Sequence, residues 1–362
     1  MIQKKIYRVI GLMSGTSLDG IDIAYCTFYL HRNKWNYEII KAITHKYPIA
    51  WETRLLNAPR LSAQELSLLN KDYGLYTGNI IAKFIIENNI TPDFIASHGH
   101  TVFHQPEKSL TVQIGSGAAI SAATGLPVVC DFRTIDVSLG GQGAPLVPIG
   151  DALLFKDYDI CLNIGGFSNV SYIYNNKRIS FDICPTNIVL NHFAKLTGKE
   201  YDRNGRMAQK GKLNTFLLKD LNNLDFYKMK PPKSLGREWV ETKFLKLVSK
   251  YKIPVEDILC TLCEHITTQI SNVLNKARGK NVLVTGGGAY NTYLITLLQK
   301  QSIPFICLPT DEVINYKEAL VFAFLGVLRW RMENNCLKSV TGASHDNCGG
   351  AIYYSSRLNG GQ

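Results

Sequence analysis

Apolar residues run or alternate over positions 7–13, 21–30 and 35–47, and each run breaks off at small or polar residues. Runs of this length and period predict strands, the last two joined by the turn His31-Arg32-Asn33-Lys34. Between Ser62 and Asn89 the period changes, with Leu66, Leu69, Tyr73, Tyr76, Ile80, Ile81, Phe84 and Ile85 recurring at helical spacing. Gly74 and Gly78 inside this stretch argue against one unbroken helix. Pro92 then introduces a buried-looking strand at 94–97. Residues 112–115 lead into a small-residue helix at 116–124, and 126–130 form another apolar strand.

The second half restarts the pattern. Residues 158–173 again read strand, Gly-rich turn, strand, with Gly165 and Gly166 at the turn. A strand at 178–182, a helix after Pro185 and long helices near 240–251 and 255–277 follow. A strand at 281–285 ends in Gly286-Gly287-Gly288 and passes into a helix, and the last long helix spans about 316–335. Two Gly-rich hairpins, each opening a half that mixes strands with covering helices, read as a duplicated α/β unit. The expected division is a first domain at 1–133 and a second at 134–336, with 337–362 packing back on the first.

The first hairpin carries the richest chemistry. Its tip runs through Gly15, Thr16, Ser17, Leu18, Asp19, Gly20, Ile21 and Asp22. Gly11, Gly15 and Gly20 let the backbone come close to an anion and take up φ > 0. Ser14, Thr16 and Ser17 offer donors to phosphate oxygens, and Asp19 and Asp22 can hold Mg²⁺ directly or through water. The tip lacks the Gly-Lys-Ser/Thr ending of a Walker loop, and a strand follows the glycines where a dinucleotide fingerprint needs a helix. A Gly-rich turn without a ligand is the other reading of this segment taken alone.

The rest of the chain favours the nucleotide. Gly165 and Gly166 offer a second phosphate turn, and Gly286, Gly287 and Gly288, between a strand end and a helix, suit adenosine and the α-phosphate. Three such turns in this order match the layout of the actin, hexokinase and Hsp70 type of ATPase, in which the nucleotide lies in the cleft between two halves.

Composition narrows the field without choosing a substrate. The 362 residues, 46% of them hydrophobic, can bury a large core in two domains. No run reaches the roughly 18 apolar residues of a membrane helix. The basic N-terminus feeds the first strand without a signal-peptide core, and nine cysteines in no framework spacing fit a reducing compartment, so the expectation is a cytoplasmic protein. The net charge of +11 is scattered over amphipathic segments rather than gathered into a nucleic-acid footprint; it is at most compatible with an anionic substrate.

Several blocks together resemble one family. Gly11-Leu12-Met13-Ser14-Gly15-Thr16-Ser17-Leu18-Asp19-Gly20-Ile21-Asp22 is similar to the signature of anhydro-N-acetylmuramic acid kinases. In the same order follow Ser97-His98-Gly99-His100-Thr101, Asp131-Phe132-Arg133, Gly140-Gly141-Gln142-Gly143-Ala144-Pro145, Asn163-Ile164-Gly165-Gly166, Phe181-Asp182-Ile183-Cys184-Pro185, Pro231-Pro232-Lys233-Ser234-Leu235-Gly236-Arg237-Glu238, Val284-Thr285-Gly286-Gly287-Gly288 and Lys317-Glu318-Ala319-Leu320. The resemblance implies an ATP- and Mg²⁺-dependent enzyme of peptidoglycan recycling. Water opens a 1,6-anhydro amino sugar at C1, O6 takes the γ-phosphoryl group, and N-acetylmuramic acid 6-phosphate results. It implies Asp182 as the base that activates water, as in inverting glycoside hydrolysis. It makes Arg133 the partner of the lactyl carboxylate, with His98, Thr101 and Glu318 also facing the sugar. The sequence is silent on assembly, although related kinases often form homodimers.

Each residue also has a plainer reading. Asp182 can cap a helix, Arg133 can pair with Asp131 or Asp136, and Glu318 can be a solvated first-turn glutamate. His98, His100 and His104 have the spacing of a metal cluster, and Cys260, Cys263 and His265 that of a partial zinc site. Two positions depart from the family pattern: His100 stands where glutamine is expected, and Thr186 where a glycine often follows the Pro after Asp182. A generic sugar kinase acting on a free hydroxyl, or a non-catalytic ATP-dependent switch, are the competing functions.

Overall fold

The computed structural model describes residues 5–15, 18–301 and 304–355. Two compact units emerge. One holds the chain up to Leu154 and again from Tyr316, and the other is Phe155–Asn315. The first unit therefore extends past residue 133 and resumes before residue 337, the points at which the hydrophobic pattern placed its ends. Packing between its two chain segments explains both extensions. A side chain at Gly150 would run into Val321, and Asp151 pairs with Lys317 at 2.7 Å, both nearly buried. Removing one partner of a buried pair such as this typically costs about 3–5 kcal/mol.

In the first unit β1 (Ile6–Ser14) pairs antiparallel with β2 (Ile21–His31), and β2 with β3 (Lys34–His45). On its other side β1 runs parallel to β4 (Phe94–Gln105), which also carries β5 (Leu110–Ile114). Next come the parallel β6 (Val128–Cys130) and, antiparallel at the edge, β12 (Ala351–Tyr353). Alternation assigns the two faces of β1. Ile10 and Leu12 enter a core shared with Leu69, Tyr73, Ile81 and Phe84 of the Ala63–Asn88 helix. Gly11 points the other way, where any side chain would strike the carbonyl of Ala319 on the Asp311–Trp330 helix. Gly11 thus serves helix packing rather than an anion.

The Ala63–Asn88 helix is unbroken despite its two glycines. Side chains at Gly74 and Gly78 would meet Ser116 O and Ala123 Cβ at 2.7 Å each, so both are absent to let the Gly117–Thr124 helix come close. A capping box of Ser62 and Glu65 starts the helix, and Asn89 in the left-handed region ends it. Such an N-cap is worth about 0.5–2 kcal/mol.

The second unit repeats the strand plan. β7 (Ile160–Ile164) pairs antiparallel with β8 (Phe167–Tyr174), and β8 with β9 (Lys177–Pro185). β7 runs parallel to β10 (Asn281–Thr285), which is parallel to β11 (Phe305–Cys307). The orders β3-β2-β1-β4-β6 and β9-β8-β7-β10-β11 match strand for strand in direction. This is a duplicated mixed-sheet α/β plan, the repeat that the two Gly-rich hairpins predicted. The amphipathic Val255–Ala277 helix buries Leu259, Leu262, Cys263, Ile266 and Ile270 in this unit's core. Among the described residues no helix is long and apolar enough to cross a membrane. The last long helix starts at Asp311 and ends at Trp330, earlier at both ends than its periodicity suggested, with a non-helical step at Tyr316.

Candidate active-site residues in the two units

The tip of the first hairpin is assembled by β1 and β2, which bring Met13 opposite Asp22. Leu18 takes φ 62° and its N–H reaches Gly15 O at 3.4 Å. Gly20, at φ 149°, has no room for a side chain, since one would lie 2.5 Å from His45 O. Asp19 is exposed at the tip, whereas the side chain of Ile21 enters the core and leaves only its backbone for a ligand. Thr16 and Ser17 lie outside the described residues. Ser14 departs from its expected role: its buried hydroxyl is bonded to Tyr47 OH at 2.7 Å and His100 Nδ1 at 3.1 Å. His100, the first family departure, therefore ties β4 to the end of β1.

Three of the candidate acids and one base influence each other within this unit. Asp22 accepts a hydrogen bond from Thr44 Oγ1 at 2.6 Å. Burial raises its pKa above the ordinary aspartate value, Thr44 opposes the rise, and the Asp19 charge adds to it. Glu318 keeps contact with solvent, yet the protein around it raises its carboxyl pKa. Asp22 adds to that rise, while Arg133 and Lys317 oppose it. Mutually repelling carboxylates of this kind favour a cation among them.

Arg133 is held on two sides. Its Nε and Nη2 donate to His98 Nε2 at 3.1 and 2.8 Å, and its Nη1 donates to Gly143 O at 2.5 Å. His98 Nε2 must then be the unprotonated nitrogen, so Nδ1 carries the proton and donates to Gly99 O at 2.8 Å. Burial and the adjacent guanidinium hold the His98 pKa well below the usual histidine value, which keeps the ring neutral. Burial also brings Arg133 down to about 10, with Glu318, Cys336 and Asp136 opposing. Of the five guanidinium N–H groups, three are used here, leaving one on each terminal nitrogen. Neither Asp131 nor Asp136 is hydrogen-bonded to Arg133: Asp131 accepts from Thr134 and Asp136 from Gly143 N. Thr101 is half-buried on β4 opposite Gln113 and shares no hydrogen bond with this group.

In the second unit, the turn at Gly165 and Gly166 is closed by the segment after β9. Thr186 donates its N–H to Gly166 O at 2.8 Å and its hydroxyl to Gly165 O at 2.6 Å, and Asn187 N donates to Gly165 O at 3.1 Å. Thr186 has φ −128°, so the second departure from the family pattern needs no left-handed backbone. Gly166 is exposed, with open space where a side chain would project. Gly286 takes φ 82° and would drive a side chain to 2.5 Å from Asn163 Oδ1, while one on Gly288 would strike Ile164. These two glycines seat the turn on β7. Gly287 is exposed, and a side chain there would come no closer than 3.6 Å to its surroundings.

Asp182 stands on β9 opposite Asn169. Its Oδ2 accepts Leu235 N–H at 2.8 Å, and its own N–H donates to Lys233 O at 3.1 Å. The Pro231–Gly236 stretch of the family resemblance is therefore what braces this carboxylate. Oδ1 has no donor among the described residues. Burial raises the Asp182 pKa, and the Leu235 bond works against it. A carboxylate anchored by one oxygen, free at the other and raised in basicity is suited to take a proton.

The family model for anhydro-N-acetylmuramic acid kinase matches residues 7–355. The chain belongs to the anhydro-N-acetylmuramic acid kinase family. The enzyme of that name from Haemophilus influenzae is 34% identical, with 98% of this chain and 99% of that protein covered. The one from Pasteurella multocida is 35% identical over 95% and 96%. Among solved structures, the activator of the 2-hydroxyisocaproyl-CoA dehydratase from Clostridium difficile aligns over 90% and 97% of the two chains. With a TM-score of 0.42 and 13% identity, that likeness is too distant to bear on the chemistry of this chain.

In this member of the anhydro-N-acetylmuramic acid kinase family the metal-like spacings are occupied by protein partners. Besides His98 and His100, His104 meets Thr111 Oγ1 at 3.2 Å. His265 is buried between Asn222 Oδ1 at 2.7 Å and Tyr227 OH at 2.8 Å, Cys263 lies in the core, and Cys260 faces Tyr293. Among the described residues no three such side chains gather as a metal site. Sequence reading missed the parts played by Gly143 and Leu235, because both act through backbone atoms that no side-chain pattern reveals. Their membership in the family blocks was the only signal.

Proposed function

We propose that the protein is an ATP-dependent kinase of 1,6-anhydro-N-acetylmuramic acid, in which hydrolytic opening of the anhydro bridge is coupled to phosphorylation of O6. The observation that carries this reading is the match to the kinase family over residues 7–355. The raised, half-anchored Asp182 and the two uncommitted N–H groups of Arg133 support it. Asp182 Oδ1 accepts a proton from water as the water oxygen bonds to C1 and the C1–O6 bond breaks. The released O6 needs no proton, because it bonds to the γ-phosphorus of ATP as ADP departs. Arg133 receives the lactyl carboxylate through one N–H on each terminal nitrogen, and His98 keeps the fork oriented. Asp182 supplies on the order of 10²–10⁴ in rate as a general base.

Asp19 and Asp22 fit Mg²⁺ of the kind that keeps water and phosphate oxygens in its shell, since one or two carboxylates suffice for it. The raised pKa of Asp22 next to Asp19 agrees with that. Mg²⁺ there would neutralise phosphate charge. Backbone N–H groups at Gly15–Gly20, Gly166 and Gly287 are the proposed phosphate and nucleotide contacts.

Turnover in ¹⁸O-water tests the reading. With Mg-ATP and 1,6-anhydro-N-acetylmuramic acid, early time points should give a phosphorylated sugar carrying ¹⁸O at C1 by mass spectrometry, against a preformed-product control for exchange. A phosphorylated sugar without ¹⁸O would point to a kinase of a free hydroxyl. ATP binding without any turnover would point to a switch.

A further inference from the structure

The Gly140–Gly143 block has no part in the reaction above, yet it wraps a fully buried carboxylate. Asp136 has no solvent exposure and, among the described residues, is hydrogen-bonded to no cation. Its Oδ2 accepts Gly143 N–H at 2.8 Å. Its Oδ1 accepts Thr341 Oγ1 at 2.8 Å, Asn347 Nδ2 at 2.8 Å and Cys336 Sγ at 2.9 Å. The loop closes on this group through its backbone: Gly141 N donates to Asp136 O at 2.8 Å and Gln142 N to Thr341 O at 2.8 Å. A side chain at Gly141 would collide with Asp136 Oδ2, so only glycine lets the loop lie this close.

Gly143 joins this carboxylate to the candidate sugar site. The same residue that gives its N–H to Asp136 offers its carbonyl to Arg133 Nη1 at 2.5 Å, in a left-handed backbone at φ 65°. A buried charge is costly even when four donors satisfy it, and a well-packed apolar side chain often serves stability as well or better. A carboxylate at this place is accounted for by what it holds.

We propose that Asp136 is a positioning residue for Arg133. Through Gly143 it fixes the carbonyl that sets one edge of the guanidinium. The specificity part of this inference rests on the reading that Arg133 receives the substrate carboxylate.

The test compares 1,6-anhydro-N-acetylmuramic acid with its neutral lactyl amide, using the full chain and the variants Asp136→Asn and Thr341→Val. In Asp136→Asn the amide NH₂ must face either Gly143 N–H or the three donors on the other side. KM for the acid should rise about 10- to 100-fold, by analogy with the loss when a hydrogen-bond partner behind a metal ligand is removed, while the neutral amide loses far less. Thr341→Val removes one donor and should shift the acid-to-amide ratio the same way by a smaller factor, which keeps the test open if the first variant folds poorly. Equal losses on both substrates, or no change in the ratio, would overturn the proposal.

A second readout does not use turnover. The ¹⁵Nε–H signal of Arg133, assigned by its loss in Arg133→Lys, should move and exchange faster with water in Asp136→Asn. An unmoved signal overturns the positioning role. If the wild type treats acid and amide alike, the carboxylate assignment of Arg133 fails, and this signal still decides whether Asp136 positions it.

Discussion

Arg133 and Asp182 are held in opposite ways. The arginine has three of its five N–H groups committed, against an imidazole in a fixed tautomer and a carbonyl pinned by a buried carboxylate. The aspartate has one oxygen bound to a single backbone N–H and the other, among the described residues, without a donor. The contrast follows from their proposed work. A group that recognises a planar carboxylate gains from having its rotamer and plane settled in advance. A group that accepts a proton needs an open lone pair and a raised pKa, and each further donor on the carboxylate would lower that pKa.

The sharpest way to break the comparison is Asp182→Asn. It should lower kcat by about 10²–10⁴ while calorimetry still detects nucleotide and sugar binding. Normal turnover would remove Asp182 from the mechanism. Arg133→Lys should act on the other side of the contrast. Losing the planar fork should raise KM for the acid sugar about ten- to a hundredfold, with kcat changed much less. A loss confined to kcat would contradict a binding role.

The pH profile separates the two groups without mutation. Asp182 must be ionised to act, so kcat should fall as pH drops through its raised pKa. Arg133 keeps its charge over the same range, so KM for the acid should stay nearly level while kcat falls. A KM that rose in step with the fall in kcat would mean that the two groups do not divide the work in this way.

The smallest effect distinguishes glycines within one turn. Gly288→Ala should lower stability by roughly 1–3 kcal/mol, because its methyl group must displace Ile164. Gly287→Ala should leave the melting temperature almost unchanged and weaken ATP binding if that backbone meets the nucleotide. Thermal melts with and without ATP measure both.

Much of this arrangement was legible in the chain. The period-two runs placed β1, β2, β7 and β8, and the repeat of strand, Gly-rich turn and strand pointed to the duplicated sheet. Asp182 and Arg133 stood out by their blocks. The glycines were harder to interpret, because a glycine needed for close packing and one needed for a ligand have the same letter. Gly11, Gly74, Gly78 and Gly288 turned out to lie against neighbouring elements. Ser14 misled for a similar reason, since a hydroxyl at a hairpin can face the tip or the core.

By itself the sequence determined the elements, their repetition and the family, because periodicity, turn residues and motif blocks are local properties of the chain. Only the tertiary structure decided that residues 134–154 and 316–336 belong with the first unit. It also decided that Gly143 joins Asp136 to Arg133, and that Leu235 anchors Asp182 while leaving its other oxygen open. The physical reason is that these are hydrogen bonds and packing contacts between segments 7 to 211 residues apart, several made by backbone atoms that every residue possesses.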